Sequence, residues 1–334
     1  MYKAITDYRF FFFLIVVAVS GPLFLEPFSL VSGAGYLALA IGGLGLAFVW
    51  GMLGVLSLGH TAFFGLGAYA YAICSMASAE PAWGIVAAVA LPVMLAFCLG
   101  CFLFFSRLND VYLAIITLCV ALIMFSYFSS TSDPSYQIAG IPLGGFNGIN
   151  GVPGLSVPGM PDIQLTIEQS FIVCGAVLAL TYAGLTWLRM HRVGRVMLAV
   201  KENELRSDLL GYNVRRYKLL GYVISAAVAG LSGALYTSVS GFVGPNVFYL
   251  AQASQFVLWV IAGGVGTFAG PIIASIAFQF LATYLGTRQG MSTELVFGLI
   301  ILAFVLLIPQ GLLPWVMGLV GKSPGTSSNL GSSK

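Results

Sequence analysis

The sequence predicts an all-α bundle of about ten membrane-spanning helices, and three observations carry that prediction. Of 334 residues, 59% are hydrophobic and 7% charged, with a mean hydropathy of +0.98. Soluble domains carry roughly 25% charged residues, so this chain has too little polar surface to meet water on every side. Apolar runs of about 20 residues, the length that crosses a bilayer as a helix, recur along it. Eight of the 14 Lys and Arg then fall in one island, Arg189 to Lys218, with apolar runs on both sides. Such an island is a loop outside the bilayer.

The spans are expected at 10–25, 34–55, 61–79, 83–105, 111–129, 170–188, 218–240, 253–269, 271–287 and 293–317, with 253–287 alternatively holding re-entrant segments. Lys3 and Arg9 precede the first run, where Phe10 to Val19 and the small Ala18 and Ser20 also resemble a secretory signal. The many later spans favour an uncleaved first helix. Ten crossings with the N-terminus inside place Lys3, Arg9, Arg107, the island and Lys322 on the cytoplasmic side, as short basic loops require. Both termini are then cytoplasmic, and Arg288 is left outside.

The other long loop, about 130–169, has Asp133, Asp162 and Glu168 but no Lys or Arg. Its Gly- and Pro-rich stretch from Ile141 to Gly154 cannot cross hydrocarbon as irregular backbone, so it is expected as a periplasmic cap or docking surface. Residues 321–334 are small and polar and read as a flexible tail, leaving 1–320 as a single transmembrane domain.

Glycine, 41 residues in all, is concentrated within the spans, where small residues let helices approach closely. The clusters at 33–45, 51–67, 230–233 and 263–270 also permit helix breaks, which line substrate paths in transporters. Packing alone explains any single cluster equally well. On this reading Ser57, His60 and Thr61, with Gly263, Gly264, Gly266 and Thr267, are candidates for a translocation path. For His60 the plain alternative is a helix-end histidine bonded to backbone.

Other chemistry is missing. Gly321-Lys322-Ser323 ends like a nucleotide-binding loop, but Val316 stands where the first glycine belongs. His60 and His191 lie far apart, and no metal set or nucleophile–base pair is present. Cys74, Cys98, Cys101, Cys119 and Cys174 fall in or beside apolar runs, and the CxxC of Cys98 and Cys101 reads as packing. The chain is therefore read as no enzyme, with no cofactor and no nucleic-acid partner. A charge at the bilayer centre costs about 2.5–3.5 kcal/mol on insertion scales. Glu26, Glu80, Asp110 and Glu294 map to span ends, so no buried charge is available to couple an ion gradient. The energy source is expected on another subunit, reached through the basic loop.

Within that loop, Lys201 to Leu210 reads as one short helix, with Leu205 and Leu209 on one face and Glu202 paired with Arg206. Gly211 is its stop. A helix so short and polar does not stand alone in water and is expected to dock in a partner's groove.

Four stretches carry a resemblance. Ser57 to Tyr69, Gly194 to Glu204 with Leu210 to Leu219, Ser225 to Tyr236, and Ile261 to Pro271 together resemble the LivM type of permease subunit of ABC importers for branched-chain amino acids, to which urea and amide permeases are related. The resemblance spans roughly 50–320. It implies the LivH/LivM type of permease fold in a bacterial inner membrane. The partners it implies are a second, LivH-like permease, two cytoplasmic ATP-binding subunits and a periplasmic solute-binding protein. Glu202, Asn203, Glu204 and Gly211 match the family's coupling segment, and with Leu205, Arg206 and Leu209 they are the expected ATPase contacts. Ser207-Asp208 departs from the small apolar pair that many members carry, and Leu210-Gly211-Tyr212 is similar to the urea branch. The expected cargo is a branched-chain or related aliphatic amino acid, with urea or short amides the alternative. A self-contained carrier or channel is a more distant reading.

Overall fold

The structure is a computed structural model that describes residues 2–286, apart from 79–80, 107–109 and 158–159, together with residue 298. Its helices are α1 (Tyr2–Phe24), α2 (Pro27–Leu53), α3 (His60–Ser78), α4 (Pro81–Phe105), α5 (Asp110–Ser130), α6 (Ile167–Met190), α7 (Arg192–Glu202), α8 (Glu204–Leu209), α9 (Val214–Ser240), α10 (Leu250–Gly263) and α11 (Ala269–Gly286). Among the described residues, seven of them (α2 to α6, α9 and α11) are long and apolar enough to cross a membrane.

The differences from expectation are local and have local causes. α2 starts seven residues before the expected 34, because Pro27 sits in its first turn, where a missing N–H costs nothing. α9 starts at Val214 because the Asn213 side chain accepts from the Arg216 N–H and caps it. The expected crossing at 253–269 is not one helix. α10 has 14 residues, about 21 Å, against a hydrocarbon core of about 30 Å, and it stops at Gly264 with φ 103°. The expected span 293–317, the tail 321–334 and residues Glu80, Arg107, Arg288, Glu294 and Lys322 lie outside the described residues.

α2 is the axis of the bundle. Every residue from Leu37 to Val49 is buried, as befits a helix apolar on all sides and surrounded by others. α9 is tied to it by hydroxyls, Ser225 donating to the Gly45 carbonyl at 2.8 Å and Ser232 to that of Ala38 at 2.6 Å. α3 and α9 meet backbone to backbone: a Cβ on Gly67 would lie 2.4 Å from the Gly230 Cα, and one on Gly230 would lie 2.1 Å from the Ala88 carbonyl oxygen of α4. Glycine here serves packing, not a break. The exposed positions of α4, from Trp83 to Phe105, are apolar throughout, the face expected toward lipid.

The chain between α5 and α6 caps one end. It forms β1 (Gln137–Ile138), β2 (Ile141–Pro142), β3 (Ile149–Asn150), β4 (Ser156–Val157) and β5 (Met160–Gln164), and β6 (Phe242–Val243) follows α9. β1 pairs with β2, β4 with β5, and β3 with β6, each antiparallel. The last pair fastens the cap to the C-terminal end of α9, and the Tyr71 hydroxyl adds a bond to the Pro153 carbonyl at 3.0 Å. α6 opens with a reciprocal Thr166–Gln169 capping box.

Candidate functional site

At the end opposite the cap, α7 and α8 lie between α6 and α9. The single helix expected over Lys201–Leu210 is in fact two. Asn203 is extended, and its side chain accepts from the Arg206 N–H at 2.8 Å to start α8. Asn competes with helical hydrogen bonding by capping a new start, which propensity summed along the run does not register. The break also undoes the expected Glu202–Arg206 pair: among the described residues no ion pair joins them. Glu204 instead pairs with Lys218 of α9.

α8 rests on Ser207, which is buried and whose hydroxyl donates to the Asn203 carbonyl at 3.0 Å. Among the described residues its outer face is unpartnered, with Leu205 71% and Leu209 81% exposed and Leu210, which follows, 69%. Gly211, at φ 87°, turns the chain out of α8. Of the atypical Ser207-Asp208 pair, Ser207 faces inward as support and Asp208 faces solvent.

Lys201 carries a contact that sequence spacing could not reveal. Its ammonium donates to the Gly51 carbonyl at 2.9 Å, 150 residues away. That carbonyl belongs to the last turn of α2, where acceptors lack helical partners and the dipole is negative. Gly51 in turn packs on the α10–α11 connection, a Cβ there falling 3.2 Å from the Gly266 Cα. The Arg189 guanidinium lies 5.0 Å from the Phe268 ring centre in the same connection. The basic island, the end of the central helix and the glycine-rich connection thus meet at one place.

Ser57, His60 and Thr61 are brought together elsewhere. After Gly54 closes α2, residues 55–59 fold back along it. α3 therefore begins with His60 beside Gly42, eleven residues (about 16 Å) before the end of α2. His60 Nε2 lies 3.0 Å from the Gly42 carbonyl oxygen, and its ring meets Phe63 and Phe256 edge-on. Among the described residues, His60 Nδ1 and Thr61 Oγ1 are buried with no hydrogen-bond partner, and Ser57 Oγ is buried near the Tyr222 hydroxyl of α9, whose ring packs on Phe63. The Gly59 N–H donates to Thr117 Oγ1 of α5 at 3.3 Å. This is an uncharged cluster of hydroxyls and imidazole around a helix start enclosed by the bundle.

Gly263, Gly264, Gly266 and Thr267 form the second break. Gly263 is pressed against the Gly270 carbonyl, Gly264 and Gly266 hold φ of 103° and 95°, and Thr267 Oγ1 donates to the Gly264 carbonyl at 2.9 Å. The two groups of candidates do not share one pocket. Their contacts on α2, Gly42 and Gly51, are nine residues apart, about 13 Å along the helix.

Comparison with known proteins follows the same lines. Residues 31–308 match the family described as branched-chain amino acid transport system / permease component. The chain belongs to that family. It is a multi-pass membrane permease of the LivM type, and the relatives it matches are transport permease components. It is 28% identical to the high-affinity branched-chain amino acid transport system permease protein LivM of Salmonella typhimurium over 328 residues, covering 90% of this chain and 73% of that protein. LivH of the same organism is 27% identical, covering 84% of this chain and 92% of that protein. A fructose import permease, FruG of Bifidobacterium longum, is 29% identical over 43% of this chain and 45% of that protein. No solved structure matches the chain.

Proposed function

We propose that the chain is the permease subunit of an ATP-driven importer that carries branched-chain or related aliphatic amino acids across a bacterial inner membrane. Residues 1–320 form its single transmembrane domain, with both termini cytoplasmic, the loop 130–169 periplasmic and the loop 189–218 cytoplasmic. It pairs with a LivH-like second permease and receives solute from a periplasmic binding protein. Two ATP-binding subunits grip Glu202, Asn203, Glu204, Leu205, Arg206, Leu209 and Gly211. The path for solute passes the breaks at Ser57, His60 and Thr61 and at Gly263, Gly264, Gly266 and Thr267.

The observation that carries the reading is the exposure of Leu205 and Leu209 on a six-residue helix fixed from behind. Two leucines that no described residue covers, on so short a helix, suit an apolar groove. Lys201 on α2 and Glu204 on Lys218 of α9 make the mount stiff enough to pass a push into the bundle. Replacing Leu205 and Leu209 with Asp should abolish co-purification of the ATP-binding subunits while the chain still inserts. Unchanged co-purification would remove the coupling role. Uptake of labelled leucine but not urea by the reconstituted complex is the expected selectivity.

A further inference from the structure

Toward the capped end, α2, α9 and α11 enclose an open cavity of about 310 Å³. Leu39 and Val239 supply apolar wall, while Tyr36, Gln279 and Thr283 bring polar groups, and among the described residues no Lys, Arg, Asp or Glu lines it. Three features single it out. The first is polarity where lipid would forbid it. The Tyr36 and Thr283 hydroxyls bond to each other across the cavity. Gln279, well inside α11, is only half-buried and makes no hydrogen bond among the described residues. An amide is expensive to leave unpaired in hydrocarbon, so a Gln at this depth marks a wall that calls for a polar neighbour. The exposed side of α4 shows the contrast, being apolar from end to end.

The second feature is size. The volume sits at the small end of the range of about 300–1,000 Å³ for small-molecule sites, which suits a small solute. The third is Gly35, whose side-chain position is empty space: no atom lies within 4 Å of where its Cβ would be. Neighbouring glycines in α2 such as Gly42 and Gly45 are filled by Phe256 and Val228, so Gly35 opens the cavity instead of closing a helix contact.

We propose that this cavity is a solute-binding site for a small zwitterionic aliphatic amino acid. Its polar end faces Tyr36, Gln279 and Thr283, and its alkyl chain lies against Leu39 and Val239. The proposal rests on the transport reading above. A neutral lining suits a cargo with no net charge, and hydrogen bonds without a fixed counter-ion hold it weakly enough to be passed on.

The test is uptake of labelled leucine and valine by the complete complex reconstituted in lipid vesicles with its binding protein. Gly35→Leu puts an alkyl chain into the cavity from a position whose Cβ meets no described atom within 4 Å. It should lower leucine uptake by about tenfold or more, while the ATP-binding subunits still co-purify. Gly35→Ala should lower leucine uptake more than valine uptake, and Gln279→Leu should raise the KM for both. Uptake by Gly35→Leu at the unaltered rate would overturn the site. So would failure of Gly35→Leu to assemble with its partners, which would make this face a subunit contact. If the unaltered chain captures no ATP-binding subunits, the transport reading fails instead, a result separate from any effect at Gly35.

Discussion

The two interruptions of the helical bundle, at 54–59 and at 264–268, are built differently. The first is sealed: Gly59 is wedged on Thr117, Ser57 and His60 are buried, and aromatic rings close over the helix start. The second is made by glycine backbone at the margin of the bundle, where Val265 is 41% exposed and the chain touches Gly51 and Arg189. Irregular backbone at membrane depth survives where protein surrounds it or a polar cavity receives it. The difference teaches that the first break encloses polar side chains within the bundle, whereas the second is glycine backbone laid against Gly51 and Arg189.

Three substitutions sharpen that contrast, the strongest first. Gly59→Ala would drive a Cβ to 1.8 Å from the Thr117 carbonyl oxygen, a backbone atom that cannot step aside. It should destabilise the chain by about 3 kcal/mol or more, read as a lost monodisperse peak and a lowered Tm in detergent. Native-like melting would mean that the first break is looser than described. Lys201→Met removes the ammonium from the Gly51 carbonyl and should cost about 1–2 kcal/mol. Transport per ATP hydrolysed should fall further than stability does, and Lys201→Arg should restore most of it. If Lys201→Met transports as efficiently per ATP as the unaltered chain, the link to α2 plays no part in coupling. Gly266→Ala meets no neighbour but keeps φ at 95°, so the change should cost about 1 kcal/mol in thermal unfolding. A loss as large as that of Gly59→Ala would erase the distinction between the breaks.

Much of this was legible in the sequence because the bilayer is a severe filter. The apolar runs, the basic island and the Gly- and Pro-rich cap each carry a one-dimensional signature, and the outward Leu205 and Leu209 followed from i, i+4 spacing. What escaped lies in features that such patterns average over. Val55, Leu56 and Leu58 continue the apolar composition, so the fold-back that sinks His60 beside Gly42 leaves no mark in hydropathy. The end of α10 is absent from hydropathy too, and only the glycine cluster at 263–270 marked it as a place where a helix can break. Asn203 looks like a tolerated helix residue until its cap geometry is seen. The Lys201–Gly51 bond is tertiary and has no local trace.

α9 runs unbroken for 27 residues, about 40 Å, from the Lys218–Glu204 pair at one end to the β3–β6 ribbon at the other. Because Ser225 and Ser232 also bind it to α2 along its middle, this one helix joins the seat of α8, the axis of the bundle and the cap in a single continuous element.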